Sequence, residues 1–187
     1  NTNGETNSDT VTITIASKSD PVTYLSMMSE AGDYIGLGQN HYFDTNDGLF
    51  RLSNETDGAS VDFDGETFWW LTFTAPSGTV FESGAYEGAT RWPFQDATVP
   101  GLDVSGDGRG CNTLTGRFDV LHVSRNELDE IDELAVDFEQ HCEGVTAALF
   151  GEIRVNYTLP NVPTANAGTD QSVDAGTLVQ LDASAST

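Results

Sequence analysis

The sequence predicts an all-β protein, an antiparallel β-sandwich of jelly-roll type. Three observations carry this expectation. Short runs rich in β-branched and aromatic residues recur at spacings of roughly 8–15 residues. Nearly every gap between them holds Gly, Asp, Asn or Pro, the residues that tight turns require. Apolar residues at helical spacing are scarce.

Taken in order, residues 1–8 have the composition of a loop, and residues 9–15 (DTVTITI) alternate polar and apolar like a strand. Residues 18–21 (KSDP) make a hinge. A central domain over residues 21–157 follows, with strands expected at 22–28, 34–37, 48–52, 60–63, 68–75, 84–90, 101–105, 115–124, 135–141 and 147–156. Between the eighth and ninth of these, Leu128, Ile131 and Leu134 have the i, i+3 spacing of one or two helical turns. The alternative there is a charged hairpin excursion, with a solvated acidic face in either case. Residues 156–163 form an exit linker in which Pro160 and Pro163 limit backbone freedom.

Composition narrows the partners. Against 30 acidic residues stand 7 basic ones, a formal charge of -23. Nucleic acid is excluded as a partner, because its phosphates must be neutralised by Lys and Arg. Anionic membrane surfaces repel such a chain as well. The acidity is dispersed, as suits a surface facing salty water or calcium. A hydrophobic share of 37%, with 10 Phe, 5 Tyr and 3 Trp, supports a packed core rather than disorder. No apolar run approaches the roughly 20 residues of a membrane span. Cys111 and Cys142 are read as a single disulfide, worth roughly 3–4 kcal/mol by chain entropy. A metal site would need more ligands than the neighbouring His141, and a cysteine nucleophile has only that His for support. The disulfide implies an oxidising, extracellular or cell-surface location.

Both ends resemble parts of a known module. Residues 163–187 (PTANAGTDQSVDAGTLVQLDASAST) resemble the opening of a PKD domain, an immunoglobulin-like sandwich of large prokaryotic surface proteins. Residues 9–15 resemble the closing strand of the same domain type. The resemblance implies three parts: residues 1–20 closing one module, 21–157 as the core domain, and 158–187 as linker and opening strands of another. Within the core domain, residues 29–39 (SEAGDYIGLGQ), 106–118 (GDGRGCNTLTGRF) and 137–144 (DFEQHCEG) are similar to an uncharacterised family of bacterial extracellular domains found beside PKD or Ig-like repeats. That resemblance spans about residues 24–156 and implies an accessory β-domain of a secreted protein. A looser similarity is to carbohydrate-binding modules of multimodular polysaccharide-degrading enzymes.

The residues that suit ligand binding are Trp69, Trp70, Tyr86, Arg91 and Trp92. Flat aromatic rings offer faces on which sugar rings stack, and nearby polar groups can bond the hydroxyls. On one strand Trp69 and Trp70 point to opposite faces, so only one can join the core. Burial of both under a covering loop is the alternative. Calcium is expected as a structural ion, with Asp33, Asp62, Asp64, Asp103 and Asp107 as ligands in acidic turns. The competing reading is that these Asp-Gly pairs, like Asp44–Asp47, simply make hairpin turns. His122 reads as outward or satisfied, and His141 as packing near the sulfurs or carrying protons. No nucleophile elbow, phosphate loop or zinc motif is present, so no enzyme is expected. These observations predict a non-catalytic, polysaccharide-binding module of a secreted multimodular protein. The alternative is a structural adhesin, stalk or filament segment, in which neighbouring copies complete each other's sheets.

Overall fold

Period-two alternation becomes ten strands in the computed structural model, which describes residues 20–158. They are β1 (Val22–Ser29), β2 (Asn40–Asp44), β3 (Gly48–Glu55), β4 (Gly58–Gly65), β5 (Phe68–Thr74), β6 (Gly84–Arg91), β7 (Gly101–Gly106), β8 (Leu114–Arg125), β9 (Ile131–Cys142) and β10 (Ala148–Tyr157). The Ig-like strands expected near either terminus lie outside the described residues. No helix among the described residues is long and apolar enough to cross a membrane.

One expected strand is a turn. Residues 34–37 are held by the Asp33 carboxylate, which accepts from Ile35 N at 3.2 Å and Gly36 N at 2.8 Å. These amides are therefore unavailable to a ladder, Leu37 turns left-handed at φ 58, and the strand begins only at Asn40. At 126–130 the hairpin alternative is realised. The Asn126 side chain accepts from Leu128 N and Glu130 N, closing the turn between β8 and β9.

The sheet order is β2-β1-β10-β9-β8-β6-β7-β5-β4-β3, a single hydrogen-bonded sheet where a two-layer sandwich was expected. All pairs are antiparallel except β6–β7, which run parallel through Thr90↔Gly101 and Arg91↔Leu102. The sheet curls until it nearly closes into a barrel. Its two free edges, β2 and β3, are consecutive in the chain and joined by the short turn after Asp44, so they converge there. Across the interior, Phe43 of β2 stacks on Phe63 of β4 at 4.7 Å. On the far side Asn54 of β3 accepts from Ile131 N at the start of β9.

The inward positions make the core: Leu25, Val61, Phe63, Trp69, Leu71, Phe73, Leu102, Val104, Phe118, Val136 and Ile153 are all buried. Burying each large side chain stabilises by roughly 1.5–3 kcal/mol. Cys111, in the segment after β7, is disulfide-bonded to Cys142 at the end of β9. Pro21–Tyr157 forms one compact unit, in which the first and last strands are neighbours through Val22↔Tyr157.

Candidate functional site

Outward residues of β3, β4, β5 and β7 fall into two rows, because strand partners on one face stand side by side. One row runs Arg51, Asp62, Trp70, Ser105. The next runs Ser53, Ser60, Thr72, Asp103. The inward alternates in the same stretches are Val61, Phe63, Trp69, Leu71 and Val104, so one face of the same four strands is core and the other polar. Trp69 is 1% exposed and Trp70 49% exposed. The expectation that the two indoles part company is met, and Trp69 is withdrawn from the ligand-binding set as a core residue. Its Nε1 donates to Thr67 Oγ1 at 3.1 Å, which satisfies the one polar atom it carries.

The chain leaving β6 overhangs this face. Arg91, Trp92 and Pro93 close one side of a cleft of about 500 Å³, with Trp70, Thr72, Ser53, Ser60 and Ser105 among its other lining residues. The Phe68 ring backs the Trp70 indole at 4.2 Å between centroids. Three carboxylates enter the same cleft: Glu55, Asp62 and Asp103. The Glu55 carboxylate accepts from Ser60 Oγ at 2.9 Å. Asp103 lies 3.6 Å from Arg91 Nε, an ion pair too long for a hydrogen bond, and that Nε has no acceptor of its own. Arg91 also donates from Nη1 to Asn112 O and lies 5.0 Å over the Phe94 ring.

Asp62 differs from both. Among the described residues it has no hydrogen-bond or ion-pair partner, because Arg51, beside it in the row, reaches Asp64 instead at 3.3 Å. Partial burial pushes the Asp62 carboxyl above the usual carboxylate range; nearby Arg51 opposes the shift and Glu55 adds to it. Burial likewise raises Asp103, with the Arg91 charge opposing the shift.

Five residues named from the sequence therefore meet in one place: Trp70, Arg91, Trp92, Asp62 and Asp103. Tyr86 does not join them. Its ring stacks on Phe118 at 4.7 Å, and its hydroxyl donates to Glu82 O and accepts from Glu82 N. The hydroxyl-bearing Ser53, Ser60, Thr72 and Ser105 were missed. Their signal was present in the alternation of β3, β4, β5 and β7, once Trp70 is set outward.

Apart from Asp62 and Asp103 in the cleft, the expected metal ligands stand apart. Asp33 is 3% exposed and spends its oxygens on Ser29 Oγ, Ile35 N and Gly36 N. Asp64 pairs with Arg51, and Asp107 with Arg109 at 3.2 Å. The Asp44 and Asp47 side chains bond their own turn. Among the described residues no three His, Cys, Asp or Glu groups are placed to hold an ion. His122 is paired with Glu133 at 2.9 Å and His141 with Glu139 at 3.0 Å.

A second depression of about 420 Å³ lies on the outer face of β1, β10, β9 and β8, with Met28 and Phe150 in it. Its acids are already matched: Arg154 reaches Asp137 and Glu152 at 2.6 and 3.0 Å, and Arg117 reaches Glu139 at 2.9 Å. Comparison with protein-family models, with curated proteins and with solved structures finds no match.

Proposed function

We propose that this chain is a non-catalytic module of a secreted multimodular protein, and that it binds polysaccharide in the Trp70 cleft. One observation carries the reading: a half-exposed indole set in one cross-strand row, with a second row of hydroxyls and a carboxylate beside it. The indole supplies an apolar face for a sugar ring, and the Ser, Thr and Asp groups beside it can bond ring hydroxyls. Its seat on paired strands fixes the platform before a ligand arrives, which limits the ordering cost of binding. The disulfide supports an extracellular setting. The PKD-like flanks support a place among repeated modules. Structural calcium is part of this proposal without an assigned ligand set: a rise in melting temperature with millimolar calcium would support it, and an unchanged melt would remove it.

The test is tryptophan fluorescence titrated with soluble plant, algal and microbial glycans. The expected result is saturable quenching or a blue shift with one glycan class, lost in Trp70→Ala and kept in Tyr86→Phe. A chain that responds to no glycan, or a response indifferent to Trp70, would overturn the reading.

A further inference from the structure

We propose that the Trp70 cleft selects sugars bearing a protonated amine, the glucosamine-type residues of an aminoglycan, over N-acetylated, neutral and anionic sugars. This rests on the carbohydrate reading above and names its ligand class.

The cleft is unbalanced in charge. Glu55, Asp62 and Asp103 face one lining guanidinium, that of Arg91, which is already engaged with Asp103, Asn112 O and the Phe94 ring. The deficit is localised on Asp62, which lacks a partner among the described residues and stands directly opposite Trp70 in the β4–β5 register. Residues opposed in this way hold their Cβ atoms roughly 4.5–5.5 Å apart. A carboxylate and a half-exposed indole on neighbouring positions of one sheet face are the two groups an ammonium ion seeks, one by charge and one by the ring quadrupole. Asp62 is also partly buried, so a cation beside it offsets a desolvation cost that water leaves standing.

The second depression makes the contrast. It is lined by four carboxylates, Asp119, Asp137, Glu139 and Glu152, yet each is paired within the fold to Arg117 or Arg154. Unlike that depression, the Trp70 cleft leaves one carboxylate, Asp62, without a partner among the described residues. Acetylation would remove the ligand's charge and add bulk at the nitrogen. Uronate or sulfate groups would meet three carboxylates on a chain of net charge -23. The hydroxyls of Ser53, Ser60, Thr72 and Ser105 around the indole match a ring with several hydroxyls better than a bare alkylammonium chain.

Isothermal titration of the full chain decides the matter, with glucosamine hexamer, N-acetylglucosamine hexamer, cellohexaose, an oligouronate and penta-lysine at one ionic strength. The glucosamine oligomer should bind at least about tenfold tighter than the acetylated and neutral hexamers. Asp62→Asn should erase that preference, while Glu127→Gln, an exposed acid in the β8–β9 turn, should leave it intact. Asp62→Asn should melt no lower than the parent, since no pairing is lost. Trp70-dependent binding that prefers cellohexaose or the acetylated hexamer would overturn this inference and leave the carbohydrate reading standing. Penta-lysine binding as tightly, with the same Asp62 dependence, would overturn the sugar class. No Trp70-dependent binding of any oligosaccharide would overturn both.

Discussion

The Gln140 carboxamide and the backbone N–H and C=O of Val104 exchange two hydrogen bonds, each of 2.8 Å, in a fully buried setting. The reason lies in the one parallel pair of the sheet. After Leu102, β7 no longer pairs with β6, and its outer N–H and C=O groups enter the interior without a strand to meet them. Gln140, 1% exposed on β9, presents one acceptor and one donor in the spacing of a peptide group. A side chain thus replaces a missing strand, and the ladder that seats Asp103 and Ser105 in the cleft holds its position.

Gln140→Leu should therefore destabilise although the volume is conserved. Two buried backbone groups lose their partners at roughly 1–3 kcal/mol each, so a loss of about 2–6 kcal/mol is expected in denaturant unfolding. An unchanged midpoint would show that relaxation or water satisfies Val104.

The adjacent tryptophans should separate stability from binding. Trp69→Ala removes a core indole in contact with His41 and Phe43, and should cost about 3–5 kcal/mol. Trp70→Ala should shift stability by less than about 1 kcal/mol and abolish glycan-dependent fluorescence. Equal melting losses in the two variants would refute the inward and outward assignment.

Acid pH should act in two opposed ways. Burial raises Asp62 and Asp103, so the folded state holds their protons more tightly than the unfolded chain does. Stability from this source falls as pH rises from the ordinary carboxylate range through the raised values. Glu139, lowered by hydrogen bonds from His141 and Arg117, and Glu143, lowered by the Asn112 backbone N–H, act the other way. Their stabilisation is present above the ordinary range and lost as pH falls through their lowered values. Thermal melts across acid pH should show the Asp62→Asn, Asp103→Asn double variant relieved of the first loss only. Charge on Arg51 and Glu55 of β3 and Arg91 of β6 sets the size of the effect.

Cys142→Ser should lower stability by about 3–4 kcal/mol, the chain-entropy value for a bridge closing a separation of 31 residues. Reductant should lower the parent's melting temperature to the variant's and leave the variant unmoved. A parent insensitive to reductant would place the stabilisation elsewhere.

Local periodicity made nine of the strands legible, because Val, Phe and Thr runs such as β5 and β8 declare both their existence and their faces. It failed at residues 34–37, where an apolar run is genuine and Ile35 is buried, yet the Asp33 carboxylate captures the amides a strand would use. Long-range pairing left no local trace. Nothing in β6 or β7 alone announces that they run parallel over two residues, nor that Gln140 completes the gap. The site was legible in its aromatics and acids, since Trp70, Trp92, Asp62 and Asp103 converge. Tyr86 misled because an aromatic residue with a satisfied hydroxyl looks the same in sequence as a free one.

The β1–β10 pairing also has a mechanical meaning. Val22 and Tyr157 are partners at one end of an antiparallel ladder, so the chain enters and leaves the Pro21–Tyr157 unit at the same end. Tension transmitted along the polypeptide would peel these two strands apart rung by rung, each hydrogen bond bearing the load alone, instead of shearing the whole ladder at once. Such a unit yields at low force and lengthens the polypeptide as it does, so the slack it releases limits the tension the chain carries.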